Sequence, residues 1–173
     1  MTSSAALVRV PQVPSLADTF RVLAALRTDA VIREYAVGGA MAMLFWTEPT
    51  LTFDLDVFVL LPAPEGPIVS LSPLYDWLRA RGYAESSEHV MVHGTPVQFL
   101  VSPNALADEA ILEAVVQELD GVPVRVMRPE HLCALWLQAG GAKRRERVRV
   151  MQEAGVVDQA MLETLLTRYG IAE

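Results

Sequence analysis

Two aspartates one residue apart, Asp54 and Asp56, lead directly into the apolar run Val57-Phe58-Val59-Leu60-Leu61. Side chains alternate along a strand, so both carboxylates fall on one face. Like charges so placed repel unless water or a cation lies between them. A hard divalent ion, Mg²⁺ or Mn²⁺, fits such a pair, because Mg²⁺ takes one or two carboxylates together with substrate phosphates. Upstream, Tyr35-Ala36-Val37-Gly38-Gly39-Ala40-Met41-Ala42 reads as a short strand, a Gly-Gly turn and the first turn of a helix. Gly38 and Gly39 carry no Cβ, so a phosphate can approach their backbone, and the helix start offers unpaired N–H groups. Taken singly, a Gly-Gly turn is ordinary and a D-x-D is often a solvated strand edge. Acids entering a strand buried on both faces need a reason. The two features together point to a metal-nucleotide site.

Other reactive side chains offer less. His89 and His93 flank a turn and His131 falls in a later helix, not the three or four close ligands of a zinc site. Cys133 is the single cysteine, which excludes an internal disulfide, fits a reducing cytoplasm and reads as a small core residue. No G-x-S-x-G elbow, P-loop or dinucleotide fingerprint is present. The net charge of −7 argues against general nucleic-acid binding. Half of the fourteen basic residues, however, fall between Arg125 and Arg149, opposed only by Glu130 and Glu146. A local basic patch on an acidic protein suits a small polyanion better than a long one.

The elements that must hold these residues follow from periodicity. With 173 residues and 52% apolar content, one domain with a substantial core is expected. No apolar run approaches the ~18 residues of a membrane span, and the N-terminus lacks the features of a secretory signal. Residues 1–14, with Pro11 and Pro14, read as an irregular lead-in. Ser15 to Thr28 reads as a helix capped by Ser15 with Asp18. Glu34–Val37 and Phe53–Leu61 read as strands, with Ala40–Phe45 helical between them and ended by Glu48-Pro49. Pro62, Pro64, Gly66 and Pro67 predict a rigid loop, and Leu71–Arg81 a helix. Glu88–Val92 and Thr95–Val101 form a hairpin pattern about His93-Gly94. Ala105–Leu119 reads as one helix capped by Asn104, and Gly121–Met127 as a strand that Pro123 pushes towards an edge. Helices are expected from Pro129 to Gln138, Lys143 to Glu153 and Asp158 to Arg168.

These pieces, in this order, resemble the nucleotidyltransferase fold, in which a helix beginning Gly-Gly or Gly-Ser joins a strand bearing D-x-D. More narrowly, Val37-Gly38-Gly39-Ala40-Met41-Ala42, Thr47-Glu48-Pro49, Thr52-Phe53-Asp54-Leu55-Asp56 and Arg128-Pro129-Glu130-His131-Leu132 look like the bacterial group around abortive-infection toxin nucleotidyltransferases. The resemblance covers roughly residues 15 to 170. It implies an α/β (α+β) fold, a mixed sheet flanked by helices, with a core at 1–128 and a helical C-terminal extension at 129–173 packed on it. It implies Mg²⁺ (or Mn²⁺) held by Asp54 and Asp56, and an NTP bound near Gly38, Gly39, Thr52 and Lys143. It implies nucleotidyl transfer to an acceptor such as RNA, protein or a small alcohol, with a cognate antitoxin as a further partner; a cytoplasmic protein without a membrane partner is expected from the lone cysteine and the lack of a long apolar run.

Two departures from the family pattern bear on catalysis. The usual third carboxylate on a neighbouring strand is Gln98 here, a poor metal ligand and no general base. Glu85 and Glu88 are the nearest acids in sequence that could replace it. Relatives also often carry a basic residue two positions before the threonine, where this chain has Thr50. The alternatives to an active transferase are a non-catalytic nucleotide-binding module and a protein–protein partner in a toxin–antitoxin pair.

Overall fold

A computed structural model describes residues 15–48, 52–63 and 69–172. The expectations for residues 1–14, Pro49, Thr50, Pro64, Gly66 and Pro67 lie outside the described residues. The first half of the chain runs α1 (Leu16–Thr28), β1 (Glu34–Val37), α2 (Gly39–Met43), β2 (Leu55–Leu60), α3 (Ser72–Ala80), β3 (Ala84–Ser86), β4 (His89–Val92) and β5 (Thr95–Val101). The second half runs α4 (Ala105–Leu112), β6 (Val115–Leu119), β7 (Val122–Val126), α5 (Pro129–Ala139), α6 (Ala142–Glu153) and α7 (Gln159–Tyr169). The strands form one seven-stranded sheet in the order β3-β4-β5-β2-β1-β7-β6. The β2–β5 and β1–β7 pairs are parallel and the remaining pairs antiparallel. The fold is therefore a mixed α/β sheet flanked by helices.

Local chemistry accounts for most boundaries. Ser15 caps α1 in a full capping box: its hydroxyl accepts from the Asp18 N–H while the Asp18 carboxylate accepts from the Ser15 N–H. Asn104 caps α4 and Asp158 caps α7 by the same side-chain-to-backbone bond. Along β2 the alternation is strict. Leu55, Val57 and Val59 are fully buried, while Asp56, Phe58 and Leu60 on the opposite face are half-buried. Val90, Val92, Val97 and Phe99 extend the buried side across β4 and β5.

Three expectations are corrected. The helix expected to run from Ala105 to Leu119 stops at Leu112, and Val115–Leu119 is instead the edge strand β6. Asp120 and Gly121 both have positive φ, 49° and 75°, which makes the two-residue turn that pairs Leu119 with Val122. The Gly121–Met127 strand (β7) consequently lies inside the sheet. Pro123 is tolerated there because β7 meets β1 only at Val126, so the missing N–H is not needed on that side. The second strand begins at Leu55 rather than Phe53, and Phe53 is 72% exposed instead of joining the apolar face.

Polar side chains, Glu130 and His131 among them buried, tie the C-terminal helices to one another and to α4. The Glu130 carboxylate accepts the Asp158 N–H at 2.7 Å. Glu109 of α4 receives Arg168 (2.8 Å) and Tyr169 of α7 and pairs with His131 of α5. These donors outweigh the burial of Glu109 and hold its carboxyl below the usual range. Burial pushes the Cys133 thiol up to about 12, which keeps it protonated and inert.

Candidate active site

The site is assembled where β1 turns into α2 beside the start of β2. The Gly38 N–H donates to the Asp56 carbonyl at 2.9 Å, so the Gly-Gly turn is tied to the strand that carries the acid. Gly39 has a φ of +58°, and a Cβ built on it would stand 1.9 Å from Oδ2 of Asp56. The Asp56 carboxylate thus occupies the space that any other residue at position 39 would fill. Asp54 lies two residues upstream in the exposed lead-in to β2, and Thr52 Oγ1 donates to its Oδ1 at 3.4 Å.

Gln98 stands directly beside Asp56, because β2 and β5 pair in parallel with Asp56 opposite Gln98. Gly39, Asp56 and Gln98 line the head of a groove of about 440 Å³. Its apolar walls include Phe58, Leu100, Met127, Leu132, Leu135 and Trp136, and its cationic wall is Arg144 and Arg147 of α6. Residues three apart on a helix share a face, which puts both guanidiniums on the same side of α6. The Arg147 guanidinium lies 5.7 Å from the Trp136 ring centre. Lys143 is exposed and is not among the residues lining the groove.

Electrostatics single out Asp56. Burial pushes its carboxyl above the usual range and the Asp54 charge adds to that; Arg147 and His89 partly offset both. A half-buried acid held near a second acid is the environment a divalent cation relieves. Among the described residues no group of three or more His, Cys, Asp or Glu side chains is gathered as a metal site. Glu88 approaches Gln98, whose Nε2 donates to it at 3.5 Å, whereas Glu85 is engaged by Arg79 at 2.7 Å.

The rest of the basic stretch is committed elsewhere. Arg125 donates to the Tyr35 and Ile111 carbonyls and pairs with Glu34. Arg128 donates to the Glu113 carbonyl, and Arg149 is clasped by Glu146 and Glu153. The groove cations were missed because charge runs along a sequence do not say which side of a helix meets the sheet. The helical spacing of Arg144 and Arg147, each four residues before the buried Val148 or Met151 and so on the same face of α6, was the available signal.

The mixed sheet, with the Gly-Gly turn set against Asp56 of β2, is the architecture that comparison with solved structures identifies. No protein-family model matches the chain, and no curated protein matches it. Solved structures do. An antigenic nucleotidyltransferase-like protein from Paracoccidioides brasiliensis aligns at 15% identity and a TM-score of 0.55, over 89% of this chain and 86% of that one. The antibiotic-resistance factor ANT(2'')-Ia aligns in its solution structure at 16% identity, TM-score 0.48, over 88% and 92%. Its complex with adenylyl-2''-tobramycin aligns at 15% identity, TM-score 0.49, over 88% and 98%. The chain has the nucleotidyltransferase fold.

Proposed function

We propose that the protein binds a Mg-NTP in the groove and transfers its nucleotidyl group to an acceptor hydroxyl. The observation that carries this reading is the Asp56 carboxylate, packed against Gly39 at the head of a groove walled by two arginines. The donor set fits Mg²⁺ or Mn²⁺: Asp54 and Asp56 would supply two carboxylates, and substrate phosphates the remaining oxygen ligands. The bound ion would neutralise charge on the triphosphate and on the departing pyrophosphate. Gly38 and Gly39 would let Phe58 and Asp56 pack close against the turn beside the nucleotide, Thr52 would hold Asp54, and Arg144 and Arg147 would bind the phosphate chain. The helical extension from residue 129 would thereby close the nucleotide site over the 1–128 core. In the reaction the acceptor oxygen forms a bond to the α-phosphorus, the bond to the β-phosphate oxygen breaks, and the acceptor loses its proton.

Gln98 at the third-carboxylate position favours a second reading, a module that binds nucleotide and transfers slowly or not at all. An amide beside Asp56 can orient a substrate but cannot take a proton near pH 7. The toxin-type resemblance adds RNA or protein as acceptor and a cognate antitoxin as partner. Calorimetry of NTP binding with and without Mg²⁺ tests the core of the proposal. Wild type should bind NTP more tightly with Mg²⁺, and Asp54→Ala/Asp56→Ala should lose that difference. Equal heats for both proteins would remove the metal site.

A further inference from the structure

The substitution at Gln98 leaves a proton to be taken from the acceptor, and the sheet brings one titratable ring towards it. Val90 of β4 pairs with Val97 of β5, so one step further along the antiparallel register His89 stands opposite Gln98. Gln98 in turn pairs with Asp56. Opposed residues share a sheet face. His89, Gln98 and Asp56 thus form a row, with His89 two strand spacings, roughly 10 Å, from Asp56 along the backbone. The half-buried state of all three, against the full burial of Val90, Val97 and Leu55, places the row on the sheet face that bears the groove, with Asp56 and Gln98 in its lining and His89 one strand beyond. His89 lies near enough to Asp56 to contribute to the electrostatic environment of its carboxyl.

The three histidines differ in what engages them. The His93 ring is bonded to the Tyr83 hydroxyl at 2.9 Å, and His131 is buried and bonded to Glu109. Among the described residues no hydrogen bond engages the His89 ring. Beyond it, Ala84, Ser86 and Met91 on the same face are exposed, which leaves an open shelf next to the row. A nucleotide lying between Asp56 and α6 would therefore meet its acceptor from the β3–β4 side.

We propose that His89 is the catalytic base that takes the acceptor's proton, in place of the carboxylate that Gln98 replaces; this rests on the nucleotidyl-transfer reading above. The acceptor O–H proton passes to a ring nitrogen of His89 as the oxygen bonds to the α-phosphorus. Pyrophosphate leaves with the electron pair of the broken bond, and His89 releases its proton to solvent. The charged groups facing His89 are Asp56 from β2 and Glu88 from the adjoining turn, with neutral Gln98 and Ser86 beside it and Arg147 reaching Asp56 from α6.

The test uses the full chain with Mg²⁺ and each of the four common NTPs, water as acceptor, and pyrophosphate release as readout. Calorimetry of Mg-NTP binding runs in parallel on every variant. His89→Ala should bind Mg-NTP as wild type does and release pyrophosphate about 10²–10⁴-fold more slowly. Added imidazole should restore part of the rate, and the acid limb of the wild-type pH–rate profile should vanish in His89→Gln. A wild-type rate and pH profile in His89→Ala would overturn the proposal. So would a loss that imidazole does not rescue, or an equal loss in Glu88→Gln, which would assign the proton to that carboxylate. Pyrophosphate release by no variant, with Mg-NTP still bound, would also overturn it. Failure of wild type to bind Mg-NTP would instead remove the nucleotidyl-transfer reading, and His89's role with it.

Discussion

Gly39→Ala is the sharpest structural perturbation of the site. The new methyl carbon would stand 1.9 Å from Asp56 Oδ2 and 2.7 Å from its Cγ, at a backbone φ of +58°. An L-residue in that left-handed region costs roughly 1–2 kcal/mol. The Asp56 side chain must also leave its place, and an off-rotamer position costs of order 0.5–1.5 kcal/mol. The sum is roughly 1.5–3.5 kcal/mol, which for a chain of this size lowers Tm by about 3–14 °C. The displaced carboxylate should also lose its part in metal binding, so Mg²⁺ with NTP should no longer raise Tm. Gly38→Ala is the comparison. Its methyl meets the Phe58 ring at 2.7 Å rather than Asp56, so it should lower Tm while keeping the response to Mg-NTP. Differential scanning fluorimetry with and without Mg-NTP reads both effects. A Gly39→Ala protein that melts within a degree of wild type and still responds to Mg-NTP would refute the close packing of Gly39 on Asp56.

Further outcomes follow from the same geometry. The raised carboxyl of Asp56 contributes stability at low pH that is lost as pH rises through its folded value, so Asp56→Asn should flatten that loss and leave the metal-free protein more stable near neutrality; urea titrations from pH 4 to 8 measure it. Glu109 has the opposite sign: its lowered carboxyl contributes stability that is lost as pH falls, and Glu109→Ala should cost about 1–3 kcal/mol by freeing α7 from α4. Arg147→Ala should weaken Mg-NTP binding roughly tenfold and reduce its salt dependence, whereas Lys143→Ala should change affinity less than about threefold, as read by calorimetry at two salt concentrations. Gln98→Asp, which adds an acid next to Asp56, should raise pyrophosphate release about tenfold or more over wild type.

Much of the site's framework was legible because period-two alternation is a local property. The placement of Asp56 opposite the apolar Leu55 and Val57, and of Gln98 between Val97 and Phe99, follows from it and agrees with the register. The capping box at Ser15 and the caps at Asn104 and Asp158 are equally local. The Val115–Leu119 strand was not read because Ile111, Leu112, Val115, Val116 and Leu119 also fit a helical stripe. The Asp120-Gly121 pair was the stronger signal, since it fixes a hairpin by backbone conformation rather than by apolar spacing. The β3 strand, three exposed residues, carries no apolar pattern to find. Helical spacing puts Arg144 and Arg147 on one face of α6, but what that face meets, and the row linking His89 to Asp56, depend on contacts between elements far apart in sequence. No period within one element encodes them.

Transfer of the nucleotidyl group, which carries the α-phosphate, is tested most directly with labelled nucleotide. The protein is incubated with Mg²⁺, total RNA and cell-lysate protein, and NTP labelled at either the α- or the γ-phosphate, beside Asp54→Ala/Asp56→Ala. Nucleotidyl transfer predicts α-label in an acceptor fraction, γ-label only in released pyrophosphate, and neither with the double variant. Label transferred from the γ-position, or α-label transferred equally well without Asp54 and Asp56, would contradict it.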